Sequence, residues 1–329
     1  MNRNGRLNRI VLVLLAVGCD HYVFASDVTA NDPEPLHRQK QWWMHAHEYA
    51  SKQVELWSSG IDSFLSRTDV TDPNDTKVDL KVGTIAKEGN LAGFYDIGAQ
   101  FHFPNTRNKL DLVVESYGDS LDRYFSSSDD ARALSESDQT DDVADAILET
   151  NSTAALRYDE VDWSADVGVL MSLPLDPYVR VRFPQTHVMT NWTFDQEPQV
   201  FVYNTKGVVA LYSMEISNIS HESLVYGLHV DLTILAKNED VYANQSFFVN
   251  QLLNEDNGLY YNVSFLQSRE SDVYRDSFLY YFKYSHVLHD KWLIGEIKPQ
   301  VTYESESHYQ PEYSLTLALK ILFGNHFVN

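Results

Sequence analysis

Apolar and polar residues alternate along most of the chain after residue 77. In the last such stretch, from Tyr313 to Phe323, every odd position is apolar and the even positions are mostly small or polar. A period of two residues predicts a β-strand with one apolar face. Further alternating stretches begin at Val78, Tyr95, Leu110, Leu224, Leu259, Phe278 and Leu293. The pattern therefore predicts an all-β domain over residues 77–329.

Residues 36–66 follow a different pattern. Their apolar positions recur at spacings of seven, four and three residues, which define one face of a helix. These positions are Leu36, Trp43, Ala50, Val54, Trp57, Ile61 and Phe64. Pro35 suits the first turn of such a helix. We expect one helix, or two short helices separated near Gly60, followed by a turn-rich linker.

The N-terminus has the pattern of an export signal. Three arginines precede the apolar run Ile10–Val17, which is too short to span a bilayer but suits a secretory signal. We expect cleavage after Ala25, which leaves a periplasmic segment at residues 26–76. The alternative is lipidation of Cys19, because Ala16–Cys19 is similar to a lipoprotein box. Cys19 is the only cysteine, so no disulfide framework is expected.

Alternating strands occur in soluble sandwiches and in membrane barrels, and three features favour the barrel. The predicted strands run to about ten residues, as a tilted crossing of a bilayer requires. Charged residues stand in mid-strand, where a water-filled interior tolerates them. Aromatic residues stand at predicted strand ends, as at membrane interfaces, namely Trp163, Trp192, Trp292, Tyr303 and Tyr313. We predict a transmembrane antiparallel β-barrel of about 12 (12–14) strands with an N-terminal periplasmic amphipathic helix.

The order of the strands divides their connections between two sides of the membrane. If the chain ends near the periplasm, residues 218–223, 253–258 and 288–291 form periplasmic turns. Residues 236–244, 268–276 and 305–312 then form outer loops. Four prolines between residues 159 and 199 obscure the strand limits in that region: Pro174, Pro177, Pro184 and Pro198.

Charged residues on the polar faces of the strands are the candidates for lining the interior of the barrel. They are Arg157, Arg180, Arg182, Asp231, Lys283, Glu296 and Lys298, with Asp96 and Glu215 as further acids. A mixed set of charges of this kind either lines a water-filled constriction or closes the interior by pairing across it. The sequence leaves both arrangements open. If the charges line a water-filled constriction, Arg180 and Arg182 are the residues that we expect to select ions.

The combined features resemble a Gram-negative outer-membrane β-barrel protein. The resemblance rests on the signal peptide, the periplasmic-type helix, the run of alternating strands and a last segment that reaches Phe327. Within it, residues 166–183 (DVGVLMSLPLDPYVRVRF) and 191–207 (NWTFDQEPQVFVYNTKG) are similar to segments of proteobacterial barrels. Barrels of this kind usually end on an aromatic residue, whereas Val328 and Asn329 follow Phe327 here. The resemblance implies an outer-membrane location with lipid and lipopolysaccharide as neighbours.

The net charge of -22 disfavours nucleic acid as a partner, because phosphate binding depends on Lys and Arg. Many of the acidic residues lie in the predicted outer loop at residues 119–150. Divalent cations would find oxygen ligands there, with Asp138, Asp141, Asp142 and Asp145 as the candidates. The spacing matches no EF-hand loop, so we favour a solvated loop without a metal.

An enzymatic role has little support in the sequence, and no cofactor is expected. The triplet His221-Glu222-Ser223 has the spacing of an outer-membrane lipid hydrolase, but it falls in a predicted periplasmic turn. His45 and His47 are two residues apart on a helix and point in different directions, which disfavours a shared metal.

Two functions follow from the sequence. The first is a small passive channel or an export-associated barrel of the envelope. The alternative is a closed structural or interaction barrel that works through its acidic loop and its helix, with a periplasmic protein as partner.

Overall fold

The computed structural model describes residues 35–66, 76–106, 109–115, 153–171, 175–221, 223–270 and 273–324. It divides into two compact units, Met1–Ala46 and His47–Asn329, and the second contains the end of the helix and every described strand. The predicted signal peptide and the whole of the predicted acidic loop lie outside the described residues.

The described elements are one α-helix, one short 3-10 helix and fifteen strands. The α-helix is α1 (Pro35–Ser66), and the 3-10 turn spans Pro104–Thr106. The strands are β1 (Lys77–Lys87), β2 (Asn90–Phe103), β3 (Leu110–Glu115), β4 (Thr153–Asp159), β5 (Ser164–Leu170), β6 (Asp176–Arg182), β7 (Gln185–Met189), β8 (Trp192–Tyr203), β9 (Gly207–His221), β10 (Leu224–Leu235), β11 (Asp240–Asn254), β12 (Asn257–Glu270), β13 (Val273–His289), β14 (Leu293–Glu304) and β15 (Pro311–Phe323).

Fourteen of the described strands close into an antiparallel ring. Strands pair with their neighbours in chain order, β1 pairs with β15, and β6 pairs with β8. Strand β7 pairs with β8 alone and stands outside the ring. The prediction of an all-β closed barrel is confirmed, but the estimate of about 12 strands is wrong. The strands β4 to β7 are only five to seven residues long, and Pro177 and Pro184 interrupt the alternation in and just after β6, so the sequence pattern did not separate them.

The barrel is apolar outside and polar inside, the reverse of a soluble protein. The odd-numbered residues of β15 face outward, and Tyr313, Leu315, Leu317 and Leu319 are 40–64% exposed. Inward positions on other strands hold buried polar side chains, namely Asp166, Arg180, His229, Asp231, Asn244, Asn262 and Gln300. An outer surface of this kind is stable only when lipid covers it.

The two ends of the ring differ. The end that carries the turns after β2, β4, β9, β11 and β13 also holds the contacts with α1, and we call it the helix end. All three turns predicted to be periplasmic lie there. The three predicted outer loops lie at the opposite end, which we call the loop end. Glu115 and Thr153 are paired at the loop end, where β3 ends and β4 begins.

Helix α1 is continuous through Gly60. No described helix is long and apolar enough to cross a membrane. Within residues 47–63, the buried positions are His47, Ser51, Val54, Ser58 and Asp62, a mostly polar stripe at helical spacing. Of the apolar face predicted from the sequence, Val54 lies in this buried stripe, whereas Trp57 is 53% exposed.

Candidate functional site

Three arginines converge on one buried aspartate inside the barrel. Arg157, Asp166 and Arg180 stand directly opposite one another on β4, β5 and β6. Arg180 Nε lies 2.8 Å from Asp166 Oδ2, and Arg157 Nε lies 3.1 Å from Asp166 Oδ1. A terminal nitrogen of Arg182 lies 3.5 Å from the same Oδ1. Since Asp166 is fully buried and Arg180 is 3% exposed, the shared carboxylate holds these cations at the wall.

A second charged group lies on the inner face of β1, β13, β14 and β15. Glu296 binds Lys81 at 2.8 Å and lies 3.8 Å from Lys283. Lys320 lies 3.5 Å from Asp79 on the neighbouring strand. Lysines therefore outnumber carboxylates in this part of the wall.

The third group, on β9, β10 and β11, is acidic. His229 Nε2 lies 2.8 Å from Asp231 Oδ2, and His229 Nδ1 lies 3.5 Å from Glu215. Asn244 Nδ2 donates to Asp231 over 3.5 Å. The carbonyl oxygen of the Asn244 side chain is buried and makes no hydrogen bond with any described group. It is therefore available to water or to a polar solute.

The acidic group borders a cavity of about 230 Å³ in the barrel interior. This volume holds several water molecules, since each occupies ~30 Å³ in the liquid. Its wall extends over six neighbouring strands and is mostly polar. The lining residues are Glu215, His229, Asn244, Ser246, Phe248, Tyr260, Asn262, Ser264, Leu266, Leu279, Tyr281, Lys298 and Gln300.

Three aromatic rings form a row along the cavity wall. The ring centroids of Phe248 and Tyr260 are 6.1 Å apart, and those of Tyr260 and Tyr281 are 6.0 Å apart. Lys283 Nζ lies 5.7 Å from the Tyr260 ring, and Lys298 Nζ lies 5.3 Å from the Tyr281 ring. Cations at this distance are attracted to aromatic faces, so the rings help to position both lysines.

Gly227 makes room for the first ring of this row. A Cβ atom at this position would stand 2.7 Å from Cζ of Phe248 and 2.5 Å from the backbone oxygen of Ile216. Both distances are shorter than van der Waals contact. The missing side chain therefore leaves the space that the Phe248 ring occupies.

Apolar side chains fill another part of the interior. They form a buried cluster on β4, β6, β8 and β9, with Leu235 packed against it: Ala155, Tyr178, Phe201, Tyr203, Val209 and Leu211. The guanidinium of Arg180 lies 5.4 Å from the Phe201 ring. The interior is thus filled on the side of β4 to β9 and holds its cavity on the side of β9 to β14.

The seven residues predicted to line the interior all stand at inward positions of their strands: Arg157, Arg180, Arg182, Asp231, Lys283, Glu296 and Lys298. Their effect on ions stays a prediction. Sequence reasoning missed Asp166, the shared partner of the three arginines. The sequence feature that could have revealed Asp166 is that it is the only charged residue of β5 (SADVGVL), whose other residues are small or apolar.

The residues predicted as metal ligands or as a hydrolase site lie largely outside the described part of the chain. The four aspartates proposed as cation ligands and Glu222 of the hydrolase triplet lie outside the described residues. Within the described ranges, no three His, Cys, Asp or Glu side chains are grouped so that they could hold a metal ion. Among the predicted interface aromatics, Trp292 is only 6% exposed because the ring of His47 stacks on it at 3.8 Å.

The rim at the helix end binds the buried stripe of α1 through polar contacts. His47 Nε2 lies 2.7 Å from the backbone oxygen of Leu322, at the end of β15. Thr76, just before β1, donates its hydroxyl to Ser58 over 2.6 Å. The backbone N–H of Asn105, after β2, donates to Asp62 over 3.4 Å.

Burial raises the pKa of the Asp62 carboxyl above its ordinary value of 3.8, although the Asn105 N–H and His102 act in the opposite direction. The bound helix therefore favours the protonated acid, and binding to the rim weakens as pH rises from 3.8 through the raised pKa. We expect Asp62→Asn to remove this pH dependence and to slow hydrogen exchange in residues 47–63 at pH 7, but not at pH 4.

The comparison is made between variant and unchanged protein at each pH, with Glu55→Gln on the same helix as the control. A ratio of exchange rates that stays constant from pH 4 to pH 7 would contradict the assignment to Asp62.

The closed ring, the apolar outer surface and the charged interior define the class of this protein. A barrel with these properties crosses a membrane with its strands, and the even number of 14 strands in the ring is the rule for bacterial outer-membrane barrels. This chain is an outer-membrane β-barrel protein.

Comparisons with known proteins give similarities of structure only. No protein-family model matches the chain, and no curated protein matches it. A loop-deletion mutant of OmpT, an outer-membrane protein of Vibrio cholerae, is similar with a TM-score of 0.45 and 8% identity over 76% of this chain and 99% of that one. The outer-membrane channel DcaP of Acinetobacter baumannii has a TM-score of 0.44 and 7% identity over 76% of this chain and 97% of that one. The NanC porin has a TM-score of 0.33 and 11% identity over 52% of this chain and 92% of that one.

Proposed function

We propose that this barrel is a passive channel for small polar solutes, and that the charges of its inner wall set its selectivity. The observation that carries the proposal is the cavity of about 230 Å³, bordered by Glu215, His229 and Lys298. A ring of 14 strands is larger than the eight-stranded barrels that side chains fill, and smaller than porins of 16–18 strands, which leave an aqueous channel. A narrow, partly filled interior fits this intermediate size.

The charged groups support a selective pathway over a neutral one. A solute that follows the β9 to β14 wall passes the acidic group around Asp231 on one side and the lysines on the other. Charged side chains that border a narrow aqueous path favour ions of opposite sign. A channel must bind its solute weakly enough to release it. Wall charges that are already paired with each other meet this requirement, because they attract a passing solute less strongly than single charges.

A second candidate function is a closed barrel that works through its surfaces. The buried apolar cluster around Phe201 and Val209 favours it, because these side chains occupy interior space that water would need. Electrical measurement separates the two functions, since a closed barrel carries no steady current.

We expect steady single-channel conductance when the folded protein is inserted in a planar bilayer. Tyr281→Ala should raise that conductance, because it removes a ring from the cavity wall and frees Lys298 from the ring that positions it. The folded state of each sample is checked by its altered mobility on unheated gels.

The matched control is Tyr280→Ala on the same strand. Tyr280 is 45% exposed on the outer face, so its removal should leave conductance unchanged. Silence from the folded, unchanged protein would reject the channel and favour the closed barrel. Equal effects of the two substitutions would reject the β9 to β14 wall as the path.

A further inference from the structure

The contacts between α1 and the rim follow neighbouring strands around the ring. The first contact in helix order is His47, which lies against Trp292 just before β14 and against Leu322 of β15. Ser58 follows and contacts Thr76 just before β1. Asp62 comes last and contacts the turn after β2. Since β14, β15, β1 and β2 are consecutive in the ring, the helix runs along the wall. A helix laid across the opening would meet strands from opposite sides.

The dimensions agree with this path. Residues 47–62 of a helix extend about 22 Å at 1.5 Å per residue. Three to four strand spacings of about 4.8 Å, at a tilt of about 40°, give about 19–25 Å of circumference. The helix is therefore as long as the part of the rim that it contacts.

The helix also reaches the outer side of the wall. Phe323 stands at an outward position of β15, in line with the exposed Leu317 and Leu319, and its ring centroid lies 5.3 Å from that of His47. Phe103, at an outward position of β2, is fully buried beside the contact at Asn105. The rim contacts thus border the lipid-covered surface of the barrel.

The sides of the helix differ in polarity. Trp57 lies about 100° from the centre of the buried stripe, and the exposed Tyr49 and Leu56 lie about 160–180° from it, with Gln53 between Trp57 and Tyr49. The opposite side carries Lys52 and Ser59, together with Glu48 and Glu55. The exposed fractions of Tyr49, Leu56 and Trp57 are 54%, 61% and 53%. The exposed large apolar side chains of the rim-bound helix therefore lie on the Trp57 side, and its charged side chains lie on the other.

We infer that residues 47–63 form an interfacial helix whose apolar side enters the lipid layer next to the rim at the helix end. Lipid is the occupant because the rim contact of His47 lies against Phe323, at the edge of the lipid-covered surface of the barrel. Helices of this type lie in the plane of the interface, about 5–10 Å into the headgroup and acyl boundary. Tyr and Trp are the aromatic residues that suit this depth.

The lipid chemistry that fits is the apolar boundary of a zwitterionic bilayer. Between residues 47 and 63 the chain has one lysine against Glu48, Glu55 and Asp62, so it has no cationic surface for anionic headgroups. Insertion therefore depends on burial of Tyr49, Leu56 and Trp57 and not on charge. Residues 47–63 consequently lie along the rim and not across the opening.

The test places a nitroxide spin label on either side of the helix in the full-length protein. Trp57→Cys and Ser59→Cys are two residues apart and point about 200° apart on a helix. Each is made with Cys19→Ser and folded into phosphatidylcholine vesicles, and Leu319→Cys on the outer face of β15 gives the lipid reference. Collision rates are measured with oxygen, which concentrates in lipid, and with a water-soluble nickel chelate.

The expected result is oxygen contact at Trp57→Cys close to the Leu319→Cys reference, and nickel contact at Ser59→Cys. High nickel contact at both sites would place the helix in water and overturn the proposal in favour of a protein partner. Protection of both sites from both reagents would place the helix within the protein. Single-channel conductance provides a second readout. Deletion of residues 26–70 should leave it unchanged if the helix lies in lipid. An increase after the deletion would show that the helix blocks the barrel.

Discussion

Replacement of Asp166 by Ala should destabilise the barrel by about 3–5 kcal/mol, the usual cost of removing one partner from a buried ion pair. The expected loss is large because Arg157, Arg180 and Arg182 all approach this one carboxylate, which is fully buried. Without it, Arg157 on β4 and the two arginines on β6 face each other across β5. Urea unfolding in lipid vesicles, followed by tryptophan fluorescence, measures the free energy of unfolding.

The matched control is Asp195→Ala on β8, where the carboxylate accepts a hydrogen bond from Thr186 on an exposed part of the sheet. It should cost far less, because solvent replaces the lost contact. Equal losses for the two variants would show that the arginines do not depend on Asp166.

Replacement of both Arg180 and Arg182 by Ala should shift the channel toward cations. Arg157, Arg180, Arg182 and Asp166 together carry a net charge of +2, and the double variant leaves Arg157 and Asp166 with a net charge of zero. Both arginines belong to the filled part of the interior and do not border the cavity on the β9 to β14 side. The expected shift is therefore below fivefold in relative permeability, the effect of the about 1 kcal/mol with which a unit charge acts on an ion at 4 Å in water. Reversal potentials in a salt gradient measure this ratio.

The charge-conserving variant with Lys at both positions serves as the control and should retain the original selectivity. The shift should depend only weakly on salt, because the side chains of Arg180 and Arg182 are 3% and 12% exposed and mobile ions screen buried charges much less than exposed ones. An unchanged reversal potential in a folded Ala variant that conducts would remove these two arginines from the selectivity of the channel.

The sequence predicted the strands most reliably where they are long and uninterrupted. Alternation in β15 and β10 assigned the inward and outward faces correctly, because a period of two residues is a property of the strand itself. Between β3 and β7 the strands are short and prolines break the pattern, so their number could not be read. Strand β7 continues the line of β6 after Pro184, along the same edge of β8.

The contacts inside the barrel could not be predicted from alternation. It shows that Arg157 and Arg180 point inward, but not that both face Asp166, because that depends on the register of three strands. The helix illustrates the same limit. Its span was predicted almost to the residue, yet its buried side is the polar one, since the rim offers backbone groups at Leu322 and Asn105.

The seam between β1 and β15 has a consequence for the order of folding. These strands come from opposite ends of the barrel domain, with Val78 paired to Phe323, so the ring closes only after the last strand has been synthesised. Pairings between distant segments are slow to form. The helix touches both sides of this seam, at Thr76 and at Leu322. Protection of the helix from hydrogen exchange therefore marks the moment at which a newly made barrel has closed.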